Sequence, residues 1–303
     1  MQNTLKIWKF TDEKQGHVSQ SDGLIAAIRK SHDVIESVVD VNELPSALFM
    51  FFSWLFRKRP IIFPKGTPDL IVGAGHKTHA SMLLASSLCG GKTIVLMKPS
   101  LPLRQFDYVV VPKHDQVQQK PNVIETLGAL NTVPFVRGKN LQMGLMLIGG
   151  ESKHYVWANE QVVKQIKQIV ERDEKISWTL TTSRRTPESF SQMLDGLGVE
   201  VVPFEETDAV WLREKYKSSG RIWVTPDSVS MVYESLSSGA MISVFSLAPS
   251  KAPSRVRNGL EQLIINKTVC SFEGWERDAE HKRVPSEFNE SERVANIILD
   301  DIT

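Results

Sequence analysis

Leu145-Met146-Leu147-Ile148-Gly149-Gly150-Glu151-Ser152 decides how this chain folds. Four apolar residues followed by paired glycines and polar residues read as a buried strand ending in a tight loop. A helix follows at 159–172, with Val162, Ile166, Ile169 and Val170 on one face. Strand, loop and helix in that order predict a right-handed crossover to a parallel strand. Downstream, 176–181, 199–204, 221–224 and 241–247 read as further strands. Residues 187–197, with Pro187 in the first turn, read as a helix, as do the stretch from Asp227 to Ser238-Gly239 and the final 291–299.

The same alternation runs upstream. Residues 7–10, 69–72, 93–97 and 108–111 read as strands, and 22–30 and 78–88 as helices. Between the two series, Arg137-Gly138-Lys139-Asn140 reads as a linker. The prediction is an α/β chain of two tandem Rossmann-like domains, 1–138 and 139–303, with a cleft between them. The last helix is expected to pack back on the N-terminal domain.

Composition narrows the class. In 303 residues, 36 basic against 35 acidic side chains leave a formal charge of +1, so no global basic field grips nucleic acid. Two cysteines, Cys89 and Cys270, supply neither a disulfide framework nor a metal-binding CxxC. With an N-terminus lacking a signal-peptide core, this predicts a cytoplasmic protein. One segment stands apart: 44–56 reads LPSALFMFFSWLF and runs into Arg57-Lys58-Arg59. Its 13 residues fall short of the roughly 20 needed to span a bilayer. A buried core helix is the first expectation. The alternative, for 44–59, is a membrane-facing surface helix that makes the protein peripheral on the inner membrane.

In open parallel sheets, ligands sit beyond the carboxyl ends of strands, where helix N-termini offer free N–H groups. In the first such loop, 11–20, His17 or Asp12 can serve as a general base, and Gly16 permits close approach; the simpler reading is a solvated capping loop. Gly73, Gly75 and His76 are candidates to line the cleft, or they form a plain turn. Neither Gly73-Ala74-Gly75-His76-Lys77-Thr78 nor Gly91-Lys92-Thr93 completes a nucleotide-binding fingerprint, since Thr78 and Ser86 stand where glycines belong. The seven histidines show no metal-binding spacing, so no metal or cofactor is expected.

In the second half, Gly149 and Gly150 can bring backbone N–H groups to phosphate oxygens, with Ser152 as a further donor. Residues 181–187, Thr-Thr-Ser-Arg-Arg-Thr-Pro, offer two arginines to clamp a diphosphate and hydroxyls to bond its oxygens, or simply cap a helix with the arginines solvated. Asp227 and Ser228 open the next helix, and Glu234, seven residues after Asp227, is a candidate to accept from ribose hydroxyls or a solvated helix side chain.

At these residues the chain resembles a known family. DEKQGHVSQSDGL, PDLIVGAGHKTH, FDYVVVPKHD, TLGALN, LIGGES followed by HY, TTSRRTP and VTPDSVSMVYESLSSGA occur in order from near the N-terminus to Ala240. They resemble the bacterial relatives of the plant elongated-mitochondria-type mitochondrial fission protein, described as nucleoside-diphosphate-sugar epimerases. That family is similar in turn to two-Rossmann GT-B glycosyltransferases and UDP-sugar 2-epimerases. The resemblance implies that Gly149, Gly150, Ser152, Ser183, Arg184, Asp227, Ser228 and Glu234 hold a nucleotide-diphosphate sugar. The epimerases carry two glycines after their Asp-Ser pair, where Val229-Ser230 stands here. The expectation is a metal-independent glycosyltransferase with a nucleotide-sugar donor as substrate and a lipid-linked or membrane-associated acceptor. A non-catalytic scaffold and an epimerase are the alternatives.

Overall fold

The computed structural model describes residues 4–45, 47–251, 255–277 and 288–302. The chain forms two compact units, 1–132 with 290–303, and 133–289. The expected break at 138/139 therefore lies inside the second unit, and the final helix belongs to the first.

The first unit holds β1 (Leu5–Thr11), α1 (Gln15–Ile28), β2 (Val34–Asp40), α2 (Ala47–Leu55), β3 (Leu70–Ala74), α3 (His79–Cys89), β4 (Lys92–Leu96), β5 (Tyr108–Pro112) and β6 (Val123–Thr126). Its sheet is parallel in the order β2-β1-β3-β4-β5-β6. β3 and β5 are buried throughout, as continuous apolar runs in a sheet covered on both faces must be. Side chains alternate between two cores. Ile7, Leu70, Val72, Ile94 and Leu96 meet α1, while Trp8, Ile71, Val95 and Val109 meet α3. β2 escapes a reading by apolar runs because it is an edge strand that leaves Ile35 and Val38 exposed.

The second unit contains β7 (Asn140–Leu147), α4 (Asn159–Arg172), β8 (Ser177–Thr181), α5 (Glu188–Ser191), β9 (Glu200–Val202), α6 (Ala209–Ser218), β10 (Ser219–Val224), α7 (Val229–Ser237), β11 (Met241–Val244), α8 (Arg255–Ile265), β12 (Cys270–Ser271) and α9 (Phe272–Glu276). Its sheet is also parallel, ordered β12-β11-β10-β7-β8-β9. The expected helix over 187–197 is one turn only. Phe190 and Leu194 keep their buried i, i+4 spacing, but Gly196 and Gly198 take left-handed backbone at φ 74° and 73° and turn the chain toward β9.

α10 (Glu290–Ile302) completes the first unit. Val294, Ala295, Ile298 and Leu299 join the α1 core. Its N-terminus is tied down, since the Leu127 N–H donates to Glu290 at 2.9 Å and Ser291 Oγ both accepts from Asn131 N–H and donates to Asn131 C=O at 3.1 and 2.9 Å. Gly23 of α1 lies against this Asn131 backbone, and a Cβ there would stand 2.7 Å from its N and O. Gly23→Ala therefore forces backbone to move. We expect a loss of about 1–3 kcal/mol, read as a lower urea midpoint with an unchanged slope.

Candidate functional site

In each sheet the chain winds outward in both directions from one pair of strands, β1/β3 in the first and β7/β10 in the second. The carboxyl ends of such pairs are where open α/β sheets bind ligands.

At the end of β1, Asp12 is fully buried, and its Oδ1 lies 2.8 Å from His17 Nδ1 and accepts from the Lys14 N–H at 3.3 Å. α1 begins at Gln15, seven residues before the expected start, so Gly16 and His17 sit on its first turn and not in a loop. One turn of helix then carries the imidazole back over the strand end. Burial alone would raise the Asp12 pKa, but the hydrogen bond and charge of His17, with the Lys14 N–H, hold it below the usual carboxylate range. Asp12 Oδ2 has no hydrogen-bond partner, and the nearest cation is Lys14 Nζ at 3.8 Å.

The His17 side chain is 17% exposed. Its ring rests on Gly75, whose φ of 87° and missing Cβ leave the necessary space; any Cβ there would overlap Cε1 and Nδ1. Gly75 thus lies directly against the His17 ring. Gly16 is open, and a Cβ at that position would meet nothing within 4 Å. Gly73 does not line this site, because it lies inside β3 and makes room for Met82 and Thr78. His76 is exposed beside Gly75. His79, three residues on, is a core side chain, with Nδ1 3.1 Å from Ser100 Oγ and its ring edge-on to Phe106; burial lowers its pKa, and the His76 charge adds to that.

In the second unit the paired glycines act differently from the expectation. The Gly149 N–H donates to Thr225 Oγ1 at 2.7 Å and the Gly150 N–H to Asp227 Oδ2 at 3.0 Å. Both donors are thereby satisfied within the protein. What the missing Cβ atoms admit is protein: a Cβ on Gly149 would overlap the Asp227 carboxylate, and one on Gly150 the Arg185 carbonyl. Asp227 is fully buried and paired with Arg185 at 2.8 Å, while Arg185 also donates to Glu151 C=O at 2.9 Å. Ser183 Oγ donates to Gly149 C=O at 2.9 Å, and Thr186 Oγ1 bonds the same carbonyl. Ser152 Oγ accepts from the His154 and Tyr155 N–H groups, both at 3.2 Å.

Arg184 is exposed beside this lock. Ser228 flanks α7 without its hydroxyl capping the helix, and Ser230 is exposed on the first turn, its Oγ 3.5 Å from that of Ser228. Free first-turn N–H groups, two hydroxyls and a guanidinium suit an anion. Thr225 and Ser230 were not singled out from the sequence, and the 181–187 run was read for a ligand, where Arg185 and Thr186 instead bond Asp227 and the Gly149 carbonyl. The Ser183/Thr186 spacing was the one available signal, a pair able to bond neighbouring backbone. Among the described residues no cluster of three His, Cys, Asp or Glu side chains is placed to hold a metal.

Glu234 is not joined to this group. Its Oε2 accepts from the buried Tyr216 hydroxyl at 3.3 Å, and burial pushes its carboxyl up to about 7 despite that bond. Unfolded, the group titrates near 4.5. Between these values the native state holds a proton that the unfolded chain has lost, so stability falls as pH rises through that window, by up to about 3 kcal/mol. Glu234→Gln keeps an acceptor for Tyr216 without the charge. Denaturant unfolding across the window should show the variant's advantage over the parent growing with pH and levelling above pH 7; parallel profiles would contradict this.

With both strand-end sites placed, likeness to other proteins takes a definite form. An uncharacterized protein of Rickettsia prowazekii, RP120, is 22% identical over 97% of this chain and 98% of its own. The UDP-GlcNAc 2-epimerase of Neisseria meningitidis bound to UDP-GlcNAc superposes with a TM-score of 0.53 at 9% identity, covering 99% of each chain. CalG4, the calicheamicin glycosyltransferase, gives 0.53 at 12% identity over 98% of each chain. At such identities the likeness is one of fold, and that fold is GT-B-like. The family described as Mitochondrial fission ELM1 matches residues 15–302, nearly the whole chain, and the chain belongs to that family.

Proposed function

We propose that this chain is a metal-independent glycosyltransferase that moves a sugar from a nucleoside-diphosphate donor to an acceptor hydroxyl. The observation that carries the proposal is the Asp12–His17 pair at the strand switch point of the first unit. A buried carboxylate accepting from Nδ1–H fixes the tautomer that leaves the lone pair on Nε2. That nitrogen has no hydrogen-bond partner among the described residues. A scaffold has no need of such an arrangement.

Nε2 takes the proton of the acceptor hydroxyl as its oxygen bonds to the anomeric carbon, and the bond from that carbon to the diphosphate oxygen breaks. Asp12 stabilises the imidazolium that forms. The departing diphosphate carries away the bonding pair; what the second unit by itself offers such an anion is the first turn of α7, Ser228, Ser230 and Arg184. Two proteins of this fold support the reading by what their names state: one is a glycosyltransferase and the other holds UDP-GlcNAc.

Thermal melting with a panel of UDP-, GDP-, ADP- and CMP-sugars tests the donor. At 100 times Kd, binding adds about 2.7 kcal/mol, or about 5–10 °C for a unit of this size. We expect such a shift with one nucleotide family, diminished in Arg184→Ala and retained in His17→Ala. With that donor and candidate acceptors, His17→Ala should lower transfer by about 10²–10⁴-fold. No shift with any nucleotide sugar would remove the donor reading. A sugar inverted at C2 without an acceptor, detected by NMR, would replace transfer with epimerisation.

A further inference from the structure

The helix α2 and the chain after it are not explained by sugar transfer. Against the first expectation for 44–56, α2 is not a core helix. Phe49, Phe52, Trp54, Leu55 and Phe56 are between 44% and 64% exposed, and Ile61 is fully so. Ser46 and the side chains of Ala47, Leu48 and Phe51 lie outside the described residues. Ser53 is buried and Met50 partly so. Phe52 and Phe56, one turn apart, stack with ring centres 6.1 Å apart and make the patch continuous. Beside it runs an apolar groove of about 510 Å³ between α2 and α3, lined by Leu44, Pro45, Met50, Trp54, Leu83 and Leu84, with Lys77 its one charged wall residue. Aromatic and aliphatic side chains gathered this densely in water mark a surface that something covers.

Charge says what covers it. From Leu44 to Gly66 the sequence contains Arg57, Lys58, Arg59 and Lys65 and no acidic residue, in a chain with nearly equal numbers of each sign. Arg59 is committed to the fold: it lies over the Trp8 ring at 5.6 Å and donates to Phe63 and Gly66 carbonyls at 3.4 and 3.2 Å. Arg57 and Lys58 are exposed directly after the aromatic patch. Apolar side chains bordered by unscreened cations suit an interface whose outer layer is anionic and whose inner layer is hydrocarbon. α2 has nine residues, about 14 Å of helix, less than half of a hydrocarbon core of about 30 Å. No described helix is long and apolar enough to cross a membrane.

We infer that α2, its aromatic patch and the α2–α3 groove dock the first unit onto an anionic lipid bilayer, with the helix lying in the interface and Arg57 and Lys58 on lipid phosphates. Lys77 ties this surface to the proposed base. It donates to Asn42 at 3.3 Å, lines the groove, and follows Gly75, on which His17 rests, by two residues. Docking brings the Asp12–His17 strand end close to the lipid surface, so the acceptor is lipid-linked; that last clause rests on the transfer reading, the docking does not.

The test needs no nucleotide. The full chain is sedimented with phosphatidylcholine vesicles and with vesicles in which a third of the lipid is phosphatidylglycerol. We expect binding at least about ten-fold stronger to the anionic vesicles, weakened by added salt. Arg57→Glu with Lys58→Glu should lower it by about 25-fold or more, at about five-fold for each of the two cations lost and further for the carboxylates gained. Phe52→Ser with Phe56→Ser should lower it by about ten-fold or more. Both pairs lie on the surface, so melting temperatures near the parent's are expected and show that folding is intact. Equal binding by the parent and either folded pair, or no binding to anionic vesicles, overturns the inference. So does a dimer in light scattering that the Phe pair dissolves while vesicles are ignored, since a second copy would then cover the patch. Vesicle binding in a protein that no nucleotide sugar stabilises would sink the transfer reading and leave this one standing.

Discussion

A fully buried carboxylate stands at the switch point of each sheet, and both strand ends are organised around it. Asp12 follows β1 and Asp227 follows β10, each with no exposed side-chain surface. A buried charge is costly unless it is paired and hydrogen-bonded. Each is paired with a basic side chain, each accepts a backbone N–H (from Lys14 for Asp12, from Gly150 at the end of β7 for Asp227), and each keeps one oxygen without a hydrogen bond. Each site also requires a glycine, since Gly75 gives the His17 ring its room and Gly149 gives Asp227 its own.

The partners make the two sites do different work. Arg185 does not deprotonate, so its pair with Asp227 is a permanent clamp that fastens the 149–151 loop to the 183–186 loop. Its charge also offsets that of the buried Asp227. An imidazole, unlike a guanidinium, can give up and take back a proton, and here it lies 2.8 Å from the Asp12 carboxylate. One strand end is therefore pinned by a guanidinium and the other carries an imidazole. The division follows from side-chain chemistry within each unit.

Sequence reading reached the architecture because period and punctuation survive without tertiary context. Continuous apolar strands such as β5 and amphipathic helices such as α4 declare themselves. It placed Asp12, His17 and Asp227 at strand ends for the same reason. It could not say that Gly149 and Gly150 spend their N–H groups on Thr225 and Asp227, because that depends on which loops become neighbours across 76 and 77 residues. Choosing Arg184 over Arg185 was equally beyond it. Both side chains are exposed, and adjacent residues diverge by their place in the turn, so that it is Arg185 that reaches Asp227. Glu234 shows the same limit, since its partner Tyr216 arrives from α6, 18 residues earlier.

The segment around α2 was illegible for a different reason. A uniformly apolar run has no periodicity, so its sequence cannot tell which face is covered. In the fold the answer is set by the single turn that buries Ser53 and seats Met50 toward α3. Burying the small polar residue while presenting phenyl and indole rings inverts the arrangement that water alone would favour. With these side chains about half exposed, such an inversion forgoes roughly half of the burial worth about 1.5–3 kcal/mol for each, so folding in water does not account for it. The energy becomes available only when a second apolar phase meets the patch, and the cations that follow it select a phase with an anionic face.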